Sequence, residues 1–300
     1  MAMQFLPRLV DTAAGLRELL ASLTGQVRLA IDTESNAFHA YHGRVCLIQI
    51  ATSDTEWALD TLALRDLDPL WDVFGDPAVE KILHAADGDI LTLRREFDVP
   101  VTNVFDTMLA ARILGYPRYG LADLLQQHFN VTLDKRFQRH DWGVRPIPLP
   151  ALRYAGGDVR HLAALRDVLG RELAARERAV EATEIFARVT LVQPEEHEFD
   201  PERFWRVKGV QDLDGPGRAI LRELYTFRDE RARAQDRPPV KVFQDDALLA
   251  LARDAPTDLP GLRQSGLSPL QADRYGHSLL QAIRRGRRAP LPPSQRPSGP

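Results

Sequence analysis

The sequence predicts an α/β fold: a three-layer domain built on a mixed β-sheet, followed by a small all-α helical bundle. Three observations predict it. Apolar, strand-like runs crowd the early part of the chain, in "QVRLAIDTES", "RVCLIQIAT" and "EWALDT". Helical spacing then alternates with one further strand-like run, "EKILHAAD". From "GPGRAILRELYTFRDERARAQDRPP" onward the pattern is helical only.

Residues 11 to 24 form the first expected helix, with Asp11 as its N-cap ahead of Leu16, Leu19 and Leu20. "QVRLAIDTES" alternates. Val27, Leu29, Ile31 and Thr33 face one way; Arg28, Ala30, Asp32 and Glu34 face the other. Two carboxylates thus share one strand face, which is costly unless the face is solvated or something positive sits between them. "RVCLIQIAT" reads as a central strand covered on both sides, Ser53–Asp54 as a turn and "EWALDT" as a returning strand. A helix is expected around "DPLWDVFG". A strand in "EKILHAAD" holds His84, and Asp89 opens the helix "GDILTLRREF". Asp106 caps "TMLAARILG", and "GLADLLQQHF" is a further amphipathic helix. "NVTLDKRFQRHDWGVRPIPLP" has mixed charge and three prolines, so it is mostly loop. "ALRYAGGDVRHLAALRDVLGRELAARE" reads as one long helix, with Tyr154 and Asp158 four apart on one side of it. The expected organisation is an α/β domain over 1–190, an acidic, proline-broken linker over 191–213, a helical domain over 214–286 and a disordered tail over 287–300.

Composition bounds the function. Of 300 residues, 44% are hydrophobic and 27% charged, as in an ordinary soluble globular protein. A net charge of −3 advertises no polyanion partner, although a local basic patch can bind nucleic acid on an acidic protein. The single cysteine, Cys46, allows no intrachain disulfide and fits a reducing cytoplasm; its apolar neighbours mark it as a buried small hydrophobe. The longest apolar run, Ala247 to Ala252, falls far short of the roughly 20 residues of a membrane span, and the N-terminus has no signal-peptide core. The expectation is a soluble cytoplasmic monomer without a membrane partner.

Each acid has an ordinary explanation alone. Asp32 and Glu34 suit a solvated strand face, Asp89 a first-turn helix acid, and Tyr154 with Asp158 a surface pair. Together they place four carboxylates and a phenol on chain segments that can converge. Divalent cations remove the repulsion, because Mg²⁺ and Mn²⁺ take hard oxygen ligands from several anions. Such a cluster suits two-metal phosphoryl chemistry.

In order, "IDTES", "KILHAADGDI", "FDTMLAARILG", "LDKRFQRHDWGVRP" and "YAGGDV" resemble the motifs of the ribonuclease D group. That group is the tyrosine branch of the DEDD superfamily of 3′→5′ exonucleases. The resemblance covers residues 5 to 185 and implies a ribonuclease H-like exonuclease domain. By position it implies Asp32, Glu34, Asp89 and Asp158 as ligands of two divalent cations, Mg²⁺ or Mn²⁺. Tyr154 matches the tyrosine that orients or deprotonates the attacking water. Asp87 falls two residues short of the ligand position, and Asp106 matches a structural cap. The "DKRFQRHDW" segment becomes the substrate neighbour. Lys135, Arg136, Gln138 and Arg139 are expected to contact nucleic acid, and Trp142 either stacks on it or anchors the loop in the core. His140 stands where relatives carry a small hydroxyl residue. Gly156 and Gly157 replace the small residues usual there, either for close approach of the helix or to loosen it. His84 is expected to be packed and hydrogen-bonded. The region from Leu221 to Ile283 resembles an HRDC domain, with Arg231, Arg233, Arg237 and Lys241 as auxiliary nucleic-acid contacts; longer bacterial relatives carry two such modules. The implied activity is release of nucleoside 5′-monophosphates from single-stranded RNA 3′ ends, with tRNA precursors and other structured small RNAs as first-choice substrates. The alternatives are the same chemistry on DNA in repair, or an inactive nucleic-acid-binding scaffold.

Overall fold

The structure, a computed structural model, describes residues 6–194 and 199–293. These fall into two compact units, 6–38 with 43–194 and 39–42 with 199–293.

The first unit runs β1 (Arg8–Val10), α1 (Ala13–Leu23), β2 (Arg28–Ser35), β3 (Val45–Ala51), β4 (Glu56–Asp60), α2 (Asp68–Gly75), β5 (Glu80–Leu83), α3 (Ala86–Phe97), β6 (Val104–Asp106), α4 (Thr107–Ile113), α5 (Leu121–Phe129), α6 (Leu149–Arg160), α7 (Leu162–Ala175) and α8 (Ala179–Val189). The six strands order as β1-β4-β3-β2-β5-β6. The β2–β3–β4 meander is antiparallel, and β1, β5 and β6 join in parallel, so the sheet is mixed as expected. β3 is buried along its whole length, as its unbroken apolar run requires.

Alternation places Leu29, Ile31, Ile48 and Ile50 in the core shared with Leu19, Phe74 and Ile90. The opposite face carries Ala30, Leu47, Ala51 and Ala58 under Ala151, Ala155, Val159 and Leu162. Small residues on that face let α6 settle close to the sheet. The register slips between Glu34 and Ser35, which pair with Leu47 and Val45, so Cys46 is the extra residue of a bulge. It is buried, and burial pushes its thiol up to about 11.

Several expectations need correction. Thr12, not Asp11, caps α1, because its hydroxyl accepts from the Gly15 N–H. β1 and β6 are three residues each, too short to show a period. β5 stops at Leu83, so His84 lies just beyond the strand. The long helix breaks at His161 into α6 and α7; the break keeps both Val159 and Leu162 buried against Ala30, Ala51 and Ile82. Lys81, in β5, is wholly buried and donates to the carbonyls of Asp76 and Val79, both at 2.6 Å.

The second unit contains two 3₁₀ turns, Pro201–Arg206 and Val210–Asp212, then α9 (Gly215–Ala234), α10 (Pro239–Val242), α11 (Asp245–Asp254), α12 (Leu259–Gln264) and α13 (Pro269–Arg288). The turns fall within the expected linker, yet Phe204, Trp205, Val207 and Val210 are buried with Leu221, Leu224 and Leu279. Four aromatic or aliphatic anchors there outweigh the acidic, proline-marked composition around them. α13 opens on a reciprocal Ser268–Gln271 capping box and continues to Arg288, two residues into the expected tail. The rest of that tail from residue 294, and residues 195–198 of the linker, lie outside the described residues.

Candidate metal centre and nucleic-acid cleft

β2 delivers Asp32 and Glu34 to the face covered by α6, and α6 delivers Tyr154 and Asp158. One carboxylate oxygen from each of Asp32, Glu34 and Asp158 lies within 4.8 Å of the others. Asp89 reaches the end of β2 from the first turn of α3, where the Thr33 hydroxyl donates to its Oδ1 at 2.5 Å. It stands outside the three-acid group but acts on Asp32 and Glu34 through its charge. Asp87, in the same helical turn, is exposed.

No Arg or Lys among the described residues forms an ion pair with any of these four acids. Their proton affinities show the result. Burial, then Asp89, Asp158 and Glu34, raises Asp32 well above the usual carboxylate range. Burial and the charges of Asp158 and Asp89 push Glu34 up to about 9. Burial brings Asp89 and Asp158 to about 7, against the opposing hydrogen bonds from Thr33 and Tyr154. The Tyr154 phenol is raised beyond its ordinary value by burial and by Asp158, Glu34 and Asp32. Hard acid oxygens that are close together, half-buried and without a basic partner among the described residues fit a divalent cation.

Asp106 is a structural cap for two helices. Its carboxylate accepts from Ala85 and Ala86 N–H, fixing the entry to α3, and from Met108 and Leu109 N–H at the start of α4. His84 is packed and hydrogen-bonded, with Nδ1 2.9 Å from the Thr107 hydroxyl.

A cavity of about 370 Å³ opens on the acids and is lined by Asp32, Glu34, His84, Lys135, Gln138, Tyr154 and Asp158 among others. The expected substrate residues divide around it. Lys135 and Gln138 are exposed at this cavity, whereas Arg136 lines a neighbouring one and is held by Asp134. Arg139 is exposed and lines neither. Trp142 offers no stacking face: it is 2% exposed and packs with Leu47, Ala58 and Ala151. The loop needs that anchor because it has few backbone hydrogen bonds of its own. His140 meets Phe137 and Trp142 edge-on in the same aromatic group.

Two residues of this region escape sequence reasoning. Thr33 faces away from Asp32 and Glu34 by alternation, and only the approach of α3 from that side gives it Asp89. Arg145 grips Asp60 through two nitrogens at 2.6 and 2.7 Å and also donates to the Trp142 and Cys46 carbonyls. The signal for it was Asp60 itself, an acid at the buried end of a strand whose centre, Trp57 to Leu59, is apolar.

Gly156 and Gly157 differ. A Cβ on Gly156 would come within 3.0 Å of Glu56 Oε2 and of Pro7 Cδ, whereas one on Gly157 would meet only Leu133 Cδ2, at 3.8 Å. Close approach accounts for the first glycine and not for the second.

Residues 7–174 match the family model described as 3′-5′ exonuclease, and residues 217–283 match the HRDC domain. Among curated relatives, the exosome complex exonuclease RRP6 of Saccharomyces cerevisiae is 33% identical over 85% of this chain and 37% of its own length. Ribonuclease D of Desulfotalea psychrophila is 31% identical over 92% of this chain and 75% of its own length. The chain spans only 31–46% of the length of RRP6 and the two RRP6-like proteins of Arabidopsis thaliana. The crystal structure of the RRP6 catalytic core from Trypanosoma brucei aligns with a TM-score of 0.87 at 28% identity, covering 95% of this chain and 81% of that one. Escherichia coli RNase D aligns with a TM-score of 0.77 at 26% identity, covering 97% and 78%. Among the described residues no helix is long and apolar enough to cross a membrane.

Proposed function

The chain belongs to the ribonuclease D-like, DEDD-type 3′→5′ exonucleases with an HRDC domain, and on that premise we propose that it releases nucleoside 5′-monophosphates from RNA 3′ ends. The observation that carries the reading is the set of acid oxygens from Asp32, Glu34 and Asp158, within 4.8 Å of one another and without a basic partner among the described residues. These three, with Asp89 completing the set from α3, are the proposed ligands of two divalent cations, Mg²⁺ or Mn²⁺. Bound there, such cations lower the pKa of water and neutralise charge on the phosphate. Tyr154, whose phenol is raised above its ordinary value by burial and the neighbouring acids, is assigned the role of orienting the attacking water. Lys135 and Gln138 hold the substrate strand at the cavity mouth, with Arg136 and Arg139 further along the same loop.

Structured small RNAs, tRNA precursors among them, are the proposed substrates. Similarity to Escherichia coli RNase D, described as an exoribonuclease involved in structured RNA processing, supports this choice. The helical unit adds phosphate contacts through Arg237 and Lys241, both exposed, with Arg231 and Arg233 nearby on α9. The one thiol, unreactive by burial, suits the reducing cytoplasm in which we place a monomeric enzyme.

The test uses 5′-labelled RNA and DNA oligomers of one sequence, with and without Mg²⁺ or Mn²⁺. A ladder growing from the 3′ end, dependent on metal and faster on RNA, is expected. Faster DNA shortening would favour a repair role. Retention without shortening in every condition would overturn the exonuclease reading in favour of a binding scaffold.

A further inference from the structure

His84 lines the same cavity as the acids, yet it lies outside their ligand group. Its ring orientation is fixed by a short relay. The Thr107 hydroxyl has one hydrogen and donates it to the Leu83 carbonyl at 3.0 Å. The Thr107 oxygen must therefore accept from His84, 2.9 Å away, so Nδ1 carries the ring proton. Thr107 is wholly buried, which locks this arrangement. Nε2 is then left as a lone-pair acceptor, with no hydrogen-bond partner among the described residues. Burial lowers the ring pKa to about 4, so the imidazole is neutral near pH 7.

A neutral acceptor beside a group of carboxylates has a narrow choice of partner. Phosphate oxygens offer it no hydrogen. Donors on the bases change with sequence. A sugar hydroxyl is present at every nucleotide, carries a hydrogen and bears no charge. We propose that His84 Nε2 accepts a hydrogen bond from a ribose hydroxyl of the 3′-terminal nucleotide and so fixes the sugar against the acid cluster. The inference rests on the exonuclease reading and deepens it: if the hydroxyl is the 2′ one, His84 selects RNA over DNA.

The experiment compares three RNA oligomers that differ only in the last sugar: ribose, 2′-deoxyribose or 3′-deoxyribose. Each is assayed with wild type, His84→Ala and His84→Gln, for kcat/KM and for equilibrium binding without divalent cations. In wild type, removing the relevant hydroxyl lowers kcat/KM roughly three- to tenfold, the scale of one neutral hydrogen bond. In His84→Ala that sensitivity disappears, because the partner is gone. His84→Gln, which restores an acceptor oxygen, recovers part of it and serves should the alanine variant fail to fold. Loss of sensitivity to the 2′ position alone identifies the 2′-hydroxyl, and to the 3′ position alone the 3′-hydroxyl. Equal losses on all three oligomers in both variants would overturn the proposal, as would a wild type indifferent to both hydroxyls. Absence of RNA shortening by wild type under every metal would instead overturn the exonuclease reading, and the metal-free binding comparison would still judge His84.

Discussion

Two sets of acids sit in the first unit, and the fold treats them in opposite ways. Asp60 is clasped by Arg145, Glu56 by Arg160 and Glu80 by Arg166, each through two guanidinium nitrogens. Asp106 accepts four backbone N–H groups. Asp32, Glu34, Asp89 and Asp158 have no basic partner among the described residues and repel one another. The same chain that neutralises four buried or half-buried acids leaves four others uncompensated at one end of the sheet. A compensated acid holds structure together. An uncompensated group carries a stability cost that persists only where a ligand removes it.

The contrast can be broken most severely at Asp158. Asp158→Asn removes one charge from the cluster while keeping an oxygen that can accept from the Tyr154 hydroxyl. Single-turnover RNA shortening should fall by at least about 10³-fold, the scale of a preorganised electrostatic contact. Urea denaturation of the metal-free variant should show stability equal to wild type or greater. A wild-type rate would show that the ligand assignment is wrong.

Arg145→Met tests the compensated set. It strands Asp60, whose side chain is only 5% exposed, and should cost about 3–5 kcal/mol in urea denaturation. Adding Asp60→Leu should recover much of that loss, because neither charge then remains buried.

The pH dependence of the metal-free protein sharpens the comparison further. Glu34 at about 9, and Asp89 and Asp158 at about 7, lie above the carboxylate range of an unfolded chain, roughly 4. Between pH 4 and 9 these acids therefore hold more protons in the folded state than in the unfolded one, a contribution to stability that falls as pH rises. His84, lowered to about 4, opposes it below about pH 6.5, and Lys81, lowered to about 8, opposes it toward pH 9. Melting temperatures should decline from about pH 6.5 to 8 without metal, where Asp89 and Asp158 ionise, and added Mn²⁺ should flatten the decline. A flat metal-free profile would contradict the unrelieved repulsion.

The smallest effect separates the two glycines of α6. Gly157→Ala should stabilise by about 0.5–1 kcal/mol, the helix propensity difference. Gly156→Ala should show no such gain, since its Cβ would crowd Glu56 and Pro7. Thermal melts of the two single variants decide it.

Much of this was legible before any coordinates. The alternation of "LAIDTES" puts Asp32 and Glu34 on one face, and the four-residue spacing puts Tyr154 beside Asp158. Local rules suffice for both. Less was legible wherever tertiary packing decided. Trp142 reads equally as a stacking platform or an anchor until the alanines of α6 and β4 close over it. Thr33 gains its role only because α3 comes from the opposite face. The two 3₁₀ turns of the second unit have acidic, proline-marked neighbours, and only long-range packing of Phe204 and Trp205 overrides that composition. The split at His161 has no proline or capping signal, and burial of both Val159 and Leu162 is its reason.

Calorimetric titration of the metal-free protein with Mn²⁺ near pH 7, in two buffers of different ionisation enthalpy, tests the central claim most directly. Saturable binding with net proton release is expected, because acids held partly protonated by burial and mutual repulsion must ionise to take a cation. In Asp158→Asn both the affinity and the proton release should drop. Binding absent at millimolar Mn²⁺, or binding that releases no protons, would contradict the claim that these four carboxylates are left unpaired for a cation.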